Sequence, residues 1–179
     1  MSHGGPERGE HGERGEHGEH GESASTWLGR GGFELGTDGP SVILVGVDDS
    51  VTATRAAWYA AGLARRQRAR LVAVYVSPVP AMLAASPTGA SVMAAEMQAQ
   101  DELAGQMRAR AEQVARELGI SITFIAARGD AYTEIKRIAA ETRADAMVVG
   151  ASAKAGHRLV GSLAVRLVRA GKWPVTVVP

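Results

Sequence analysis

Five short apolar runs, spaced by stretches of helical periodicity, set the limits on what this chain can fold into. The first, Ser41-Val-Ile-Leu-Val-Gly-Val47, is continuously apolar after its opening serine. A strand with one wet face alternates polar and apolar residues, whereas a strand covered on both faces does not, so this run reads as a buried parallel strand. Further strands are expected at Arg70 to Val76, Ile120 to Ala127, Ala146 to Val149 and Val175 to Val178. Between them lie helical patterns: an apolar stripe from Ala56 to Ala64, a long pattern from about Ser91 to Leu118, one from Ala131 to about Thr142, and one from Ser162 to Ala170. The order is β-α-β-α-β-α-β-α-β, which implies a doubly wound parallel sheet with helices on both faces. Ligands of such α/β sheets sit beyond the C-terminal strand ends, where the strand order reverses. The sequence alone does not locate that point.

Local signals punctuate this order. Asp48-Asp49-Ser50 supplies helix-start residues, and Arg65, Arg66 and Arg68 crowd the end of the same helix, where cations suit its dipole. Ser77-Pro-Val-Pro80 stops the second strand, and a loop holding Pro87 and Gly89 is expected after it. Gly119 reads as a helix C-cap and Asp130 as an N-cap.

Residues 1–40 are of another kind. Arg-Gly-Glu and His-Gly-Glu triplets fill residues 8–22. Glycine at every third position suggests collagen, but the repeat holds no proline and is too short. Without apolar side chains nothing offsets the ordering entropy, so a disordered, solvated tail and linker is expected before a folded domain at 41–179. His3, His11, His17 and His20 would make such a tail pH-sensitive or metal-collecting, the less economical reading. Trp27, Leu28, Phe33 and Leu35 give the linker its apolar positions.

Composition narrows the function classes. The chain has no cysteine, which excludes disulfides, thiolate metal sites and cysteine nucleophiles. Aromatics make up only 4%, so the core must be built from Ala, Val, Leu and Ile. A net charge of +1 offers no support for nucleic-acid binding. No apolar run reaches the roughly 20 residues of a membrane span, and residues 1–25 lack the apolar centre of a secretory signal. A cytoplasmic protein is the expectation.

Four junctions offer chemistry: Asp48-Asp49-Ser50, Val76-Ser77-Pro78, Arg128-Gly129-Asp130, and the loop after Gly150. Asp48 and Asp49 suit a ribose, a metal or a helix cap, and the cap is the simplest reading. Arg128-Gly129-Asp130 is an adhesion tripeptide in form, but before a helix it is more simply a tight turn with a cap. From Gly150 a loop with Lys154, Gly156, His157 and Arg158 runs to Gly161-Ser162 at the start of a helix, an anion cradle in outline. It is not a P-loop, because five residues separate Gly150 from Gly156 and His157 follows. A hydrolase elbow is half present around Ser152, with His157 as the domain's imidazole. That pairing is weaker than a surface histidine beside phosphate or water, so no catalytic residue and no metal site are assigned, and an enzyme is not expected.

Residues 41–179 closely resemble the universal stress protein family. The resemblance rests on Ile43-Leu-Val-Gly-Val-Asp-Asp-Ser50, Leu71-Val-Ala-Val-Tyr-Val76, Gly129-Asp130 before a helix, and the ending from Val148 to Pro179. It implies a five-stranded parallel sheet of order 3-2-1-4-5, adenine nucleotide alpha-hydrolase-like, with its switch point between strands one and four. It also implies ATP binding, with Mg²⁺, at a motif G-x-x-G, nine residues, then G and Ser or Thr. Carried over, Gly46, Val47 and Asp48 meet the ribose or adenine end, and Val76 offers adenine an apolar edge. Gly150, Gly161 and Ser162 hold phosphate, with Ser152, Lys154, Gly156 and Arg158 beside them. This chain departs from the motif: Ala153 stands at its second glycine, and Gly150 to Gly161 is about two residues short. The family further implies a homodimer through Val175–Val178. A stress-response protein that binds adenine nucleotide is the leading expectation, a nucleotide-independent dimer acting through partners is the alternative, and a slow ATPase or hydrolase ranks below both.

Overall fold

The computed structural model describes Met1 and residues 39–79, 87–151 and 162–179. Contacts divide the chain into Met1–Thr37 and Asp38–Pro179. The described elements lie in the second unit; the expected tail, with its histidines and Trp27, falls outside the described residues. In chain order the elements are β1 (Val42–Val47), α1 (Val51–Gln67), β2 (Arg70–Ser77), α2 (Pro87–Leu118), β3 (Ile122–Arg128), α3 (Ala131–Glu141), β4 (Ala146–Gly150), α4 (Ser162–Ala170) and β5 (Val175–Val178).

The sheet has the order β3-β2-β1-β4-β5, and each neighbouring pair is parallel. This is the expected doubly wound sheet in the expected order. From the central β1 the chain builds outward through β2 and β3, then crosses back to β4 and β5. The reversal therefore falls between the C-terminal ends of β1 and β4.

Successive side chains of a strand point to opposite faces, so an unbroken apolar run feeds two cores. Leu44, Val72, Val74, Met147 and Val149 pack with Ile135 and Ile138 of α3 and Leu167 of α4. On the other face Ile43, Val45, Leu71, Ala73 and Val148 meet Ala56, Ala60, Ala61 and Ala64 of α1, with Val114 and Leu118 of α2 alongside. The two faces differ in kind: one is filled by branched side chains, the other is lined largely by alanine.

At the N-terminal sheet edge the strands are tied together. The Asp145 carboxylate accepts the amides of Ser41 and Val42 at 2.8 and 2.9 Å. The Asp145 amide donates to Val42 O and the Arg70 amide to Ser41 O, both at 2.9 Å. The Arg70 guanidinium donates to Thr142 O at 3.2 Å.

The helix boundaries correct three expectations. Pro87 and Gly89 belong to α2, which starts at Pro87 rather than near Ser91. Proline suits a first helical position, where its missing N–H has no intrahelical partner. Ser50, not Asp48 or Asp49, caps α1, accepting the Ala53 amide at 3.1 Å. Ile120 is not in β3, because its amide donates back to Ala115 O and closes the end of α2. That closure recurs: Ala69 N–H bonds Ala64 O after α1, and Ala144 N–H bonds Ala139 O after α3. In each the preceding residue is left-handed, namely Gly119 (φ +63°), Arg68 (φ 55°) and Arg143 (φ 53°).

Candidate functional site

A cavity of about 370 Å³ opens at the reversal point of the sheet. Its floor is the end of β1, Gly46 and Val47, with Val74 and Val76 of β2 on one side and Val149 and Gly150 of β4 on the other. Asp48, Asp49 and Ser50 form the rim where β1 turns into α1. Three helices start at this edge and line it with their first turns: Thr52 and Ala53 of α1, Ala131 of α3, Leu163 and Ala164 of α4. Their N–H ends and positive dipole ends thus share one cavity.

Gly46 and Gly150 serve this geometry differently. A Cβ on Gly46 would stand 3.4 Å from Ile135 Cδ1 and 3.5 Å from Val149 Cγ1, so the missing side chain keeps space open in the floor. A Cβ on Gly150 would stand 2.7 Å from the Ala53 nitrogen and the Thr52 carbonyl carbon, inside the first turn of α1. Gly150 is the point at which β4 lets α1 come close.

Asp48 is exposed, and its Oδ1 accepts the Ser50 amide at 2.9 Å. That bond fixes the carboxylate over the rim and leaves Oδ2 for a ligand. Behind the rim, on the α1–α2 face, Tyr75 is nearly buried. Burial pushes its phenol up, and the charges of Asp49, Asp48 and Asp101 push it further. On the far side Asp130 caps α3: its Oδ1 accepts the Thr133 amide and hydroxyl at 2.9 and 2.8 Å. Arg166 of α4 approaches the same carboxylate at 3.2 Å and lies 4.1 Å over the Tyr132 ring. The Thr133 donors, then Arg166, hold Asp130 down to about 2. This cluster joins the start of α3 to α4 beside the cavity.

The cavity brings together Gly46, Val47, Asp48, Val76 and Gly150, five residues expected from the sequence. Ser162 is the first residue of α4. Ser152, Lys154, Gly156, Arg158 and Gly161 lie outside the described residues, as does Ala153. Sequence reasoning missed Val74, Ala131 and Ile135, and, beyond Ser162, Leu163 and Ala164 of α4. A signal for Ala131 was present, since the Arg128-Gly129-Asp130 turn was one of the four junctions; Ile135 follows from it one helical turn on. Ser77, from another junction, points away: it is buried, with its hydroxyl donating to Ala127 O at 3.4 Å. Among the described residues no group of three or more acidic or histidine side chains could hold a metal ion. No helix there is long and apolar enough to cross a membrane.

The family model described as the universal stress protein family matches residues 41–179. Among solved structures the chain is similar to the universal stress protein UspA from Lactobacillus plantarum, with TM-score 0.68 and 29% identity over 78% of this chain and 97% of that one. It is similar to a protein of the universal stress protein family from Burkholderia pseudomallei, with TM-score 0.58 and 27% identity over 78% and 96%. A universal stress protein solved in complex with cAMP shares the fold at TM-score 0.60 and 23% identity, over 79% and 99%. No curated protein matches at a significant level.

Proposed function

The chain belongs to the universal stress protein family, and on that premise we propose that it is a stress-response regulatory protein binding ATP or a related adenine nucleotide at the C-terminal sheet edge. One observation carries the reading: Gly46, Val47, Asp48, Val76 and Gly150, from three strands, line a single cavity of about 370 Å³ at the switch point. That volume lies within the range of small-ligand sites, about 300–1,000 Å³. In this reading Val47 and Val76 flank adenine, and Asp48 Oδ2 accepts a ribose hydroxyl. The phosphates lie at the start of α4, near Ser162, where the helix dipole and the cations Lys154 and Arg158 favour negative charge. Mg²⁺ accompanies a triphosphate. The cAMP complex of a family member supports an adenine nucleotide as the ligand class.

The phosphate loop is an altered form of the family motif, with Ala153 in place of its second glycine and a shorter path from Gly150 to Gly161. Gly156 supplies flexibility three positions later. The protein binds and signals rather than turning over substrate, since the sequence offers no positioned base. It works in the cytoplasm as a homodimer paired through β5. Ala153 and the short loop also favour a second reading, in which the dimer has lost nucleotide and acts through partners alone.

Calorimetric titration with AMP, cAMP and Mg²⁺-ATP separates the two. Saturable heat is expected with a Kd below about 1 mM for at least one nucleotide, and about tenfold or more weaker binding for Asp48→Ala, which deletes a charged hydrogen bond. Absence of heat at millimolar concentrations of all three overturns the nucleotide reading and leaves the interaction reading standing.

A further inference from the structure

A second cavity, of about 160 Å³, lies between α1 and α2 on the opposite face of the sheet. Among the described residues Val47, Asp48 and Ala53 line both it and the cleft. Its origin is the alanine content of this face. Ala57 and Ala61 of α1 and Ala111 of α2 face it, over Ala73 of β2. Helices that meet through alanine normally close up, and native interiors keep few voids larger than a water molecule. Here Met107 and Val114 of α2 and Phe124 of β3 line the cavity that is left between the two helices. An apolar cavity of about 150 Å³ suffices for a benzene-sized guest.

The mouth carries a specific charge. Trp58, 44% exposed, lines the cavity, and the Arg110 guanidinium stacks 5.7 Å from its ring centroid. Arg110 donates to Gln113 Oε1 at 3.0 Å, and no carboxylate among the described residues pairs with it. Among the described residues the one acid on the cavity wall, Asp48, precedes the α1 cap, whereas Trp58 lies eight residues beyond Ser50, about 12 Å of helix rise away.

We propose that this cavity is a second ligand site, for a small carboxylic acid whose apolar tail, a short acyl chain or single aromatic ring, fills the space between the helices while its carboxylate pairs with Arg110. The size of the cavity limits the tail, its apolar wall rejects a polar one, and the cation at the mouth selects an anion over a neutral molecule of the same length. A guanidinium and a carboxylate form a forked, charge-assisted pair, which gives the site orientation as well as affinity.

Octanoate and 1-octanol, which share a tail and differ in charge, test this on the full chain without nucleotide, so that the outcome does not depend on the cleft. The readout is tryptophan fluorescence, taken as the difference from Trp58→Phe. Octanoate is expected to saturate with a Kd at or below about 1 mM, and octanol to bind about fivefold or more weakly. Ala111→Leu, which fills the cavity from α2, is expected to lower octanoate affinity about tenfold or more. Arg110→Gln, an exposed change that leaves the fold alone, is expected to bring octanoate down to the affinity of octanol. A signal that does not saturate, octanol binding as tightly as octanoate, or octanoate binding undiminished in either variant, overturns the proposal.

Discussion

Arg68 and Arg143 occupy backbone that side chains avoid. Each follows a helix with φ near +55°, the conformation that Gly119 and Gly171 adopt after α2 and α4. All four positions meet the same need, to turn the chain so that the last carbonyls of a helix find donors. A Cβ in this region crowds the following carbonyl, so arginine is strained where glycine is not. Arg68→Gly and Arg143→Gly are each expected to stabilise the domain by about 0.5–1 kcal/mol, and Gly119→Ala to destabilise it by a similar amount. Nothing lies within 4 Å of a Cβ built on Gly119, so its loss would be purely conformational. Urea denaturation midpoints with unchanged slopes check all three. Gly119 was legible as a cap because glycine is the usual residue there. The two arginines were not, since a run of cations after α1 is equally well read as complementing the helix dipole.

At the scale of elements, the strands were legible and so were the starts of α3 and α4, whereas the cap of α1 and the start of α2 were not. Buried parallel strands announce themselves as unbroken apolar runs, and β1, β4 and β5 fall within a residue of where the sequence put them. Helix starts depend on which of several polar residues turns its oxygen inward. Asp48, Asp49 and Ser50 are each competent, and only the path of the chain selects Ser50. The strand-borne half of the cleft was visible on the same ground, because Gly46, Val47, Asp48, Val76 and Gly150 sit at strand ends. Ile135 lies one turn beyond a legible junction, but its place in the floor was not legible, since that depends on how α3 packs over the sheet. The two glycines of the cleft separate packing from binding. Gly150→Ala places a methyl inside the first turn of α1 and is expected to cost about 1–3 kcal/mol of stability. Gly46→Ala meets only Ile135 and Val149 at ordinary contact. It should leave the melting temperature nearly unchanged while weakening nucleotide binding roughly tenfold, by filling the floor. Thermal melts alongside the calorimetric titration distinguish the two; a Gly46→Ala protein that binds as wild type would remove the nucleotide from that floor.

At the scale of the whole molecule, β3 and β5 are, among the described residues, the edge strands of the sheet, each paired on one side. On β5 the carbonyls of Pro174 and Val178 accept the amides of Met147 and Ala151, so the backbone of the alternate residues Val175 and Val177 faces outward. An exposed edge of β-branched residues is a template for another strand, and a second copy of the same edge is the economical cover. Val177→Pro removes an outward N–H without touching the bonds to β4. Sedimentation velocity is expected to find the parent chain as a dimer and Val177→Pro as a folded monomer; a parent that sediments as a monomer would end the dimer proposal. The fold class and strand order were legible at this scale because one alternating pattern runs the length of the domain. The cavity under Trp58 was not, because an alanine stripe in a sequence reads as close packing rather than as a gap. The last consequence concerns the clamp made by Asp145 on Ser41 and Val42. It grips the chain where the folded domain begins, at the edge of the sheet opposite the cleft. A pull on the chain at Ser41 would therefore be carried by β1 and β4 at their starting ends, without prising open the cleft at the opposite edge.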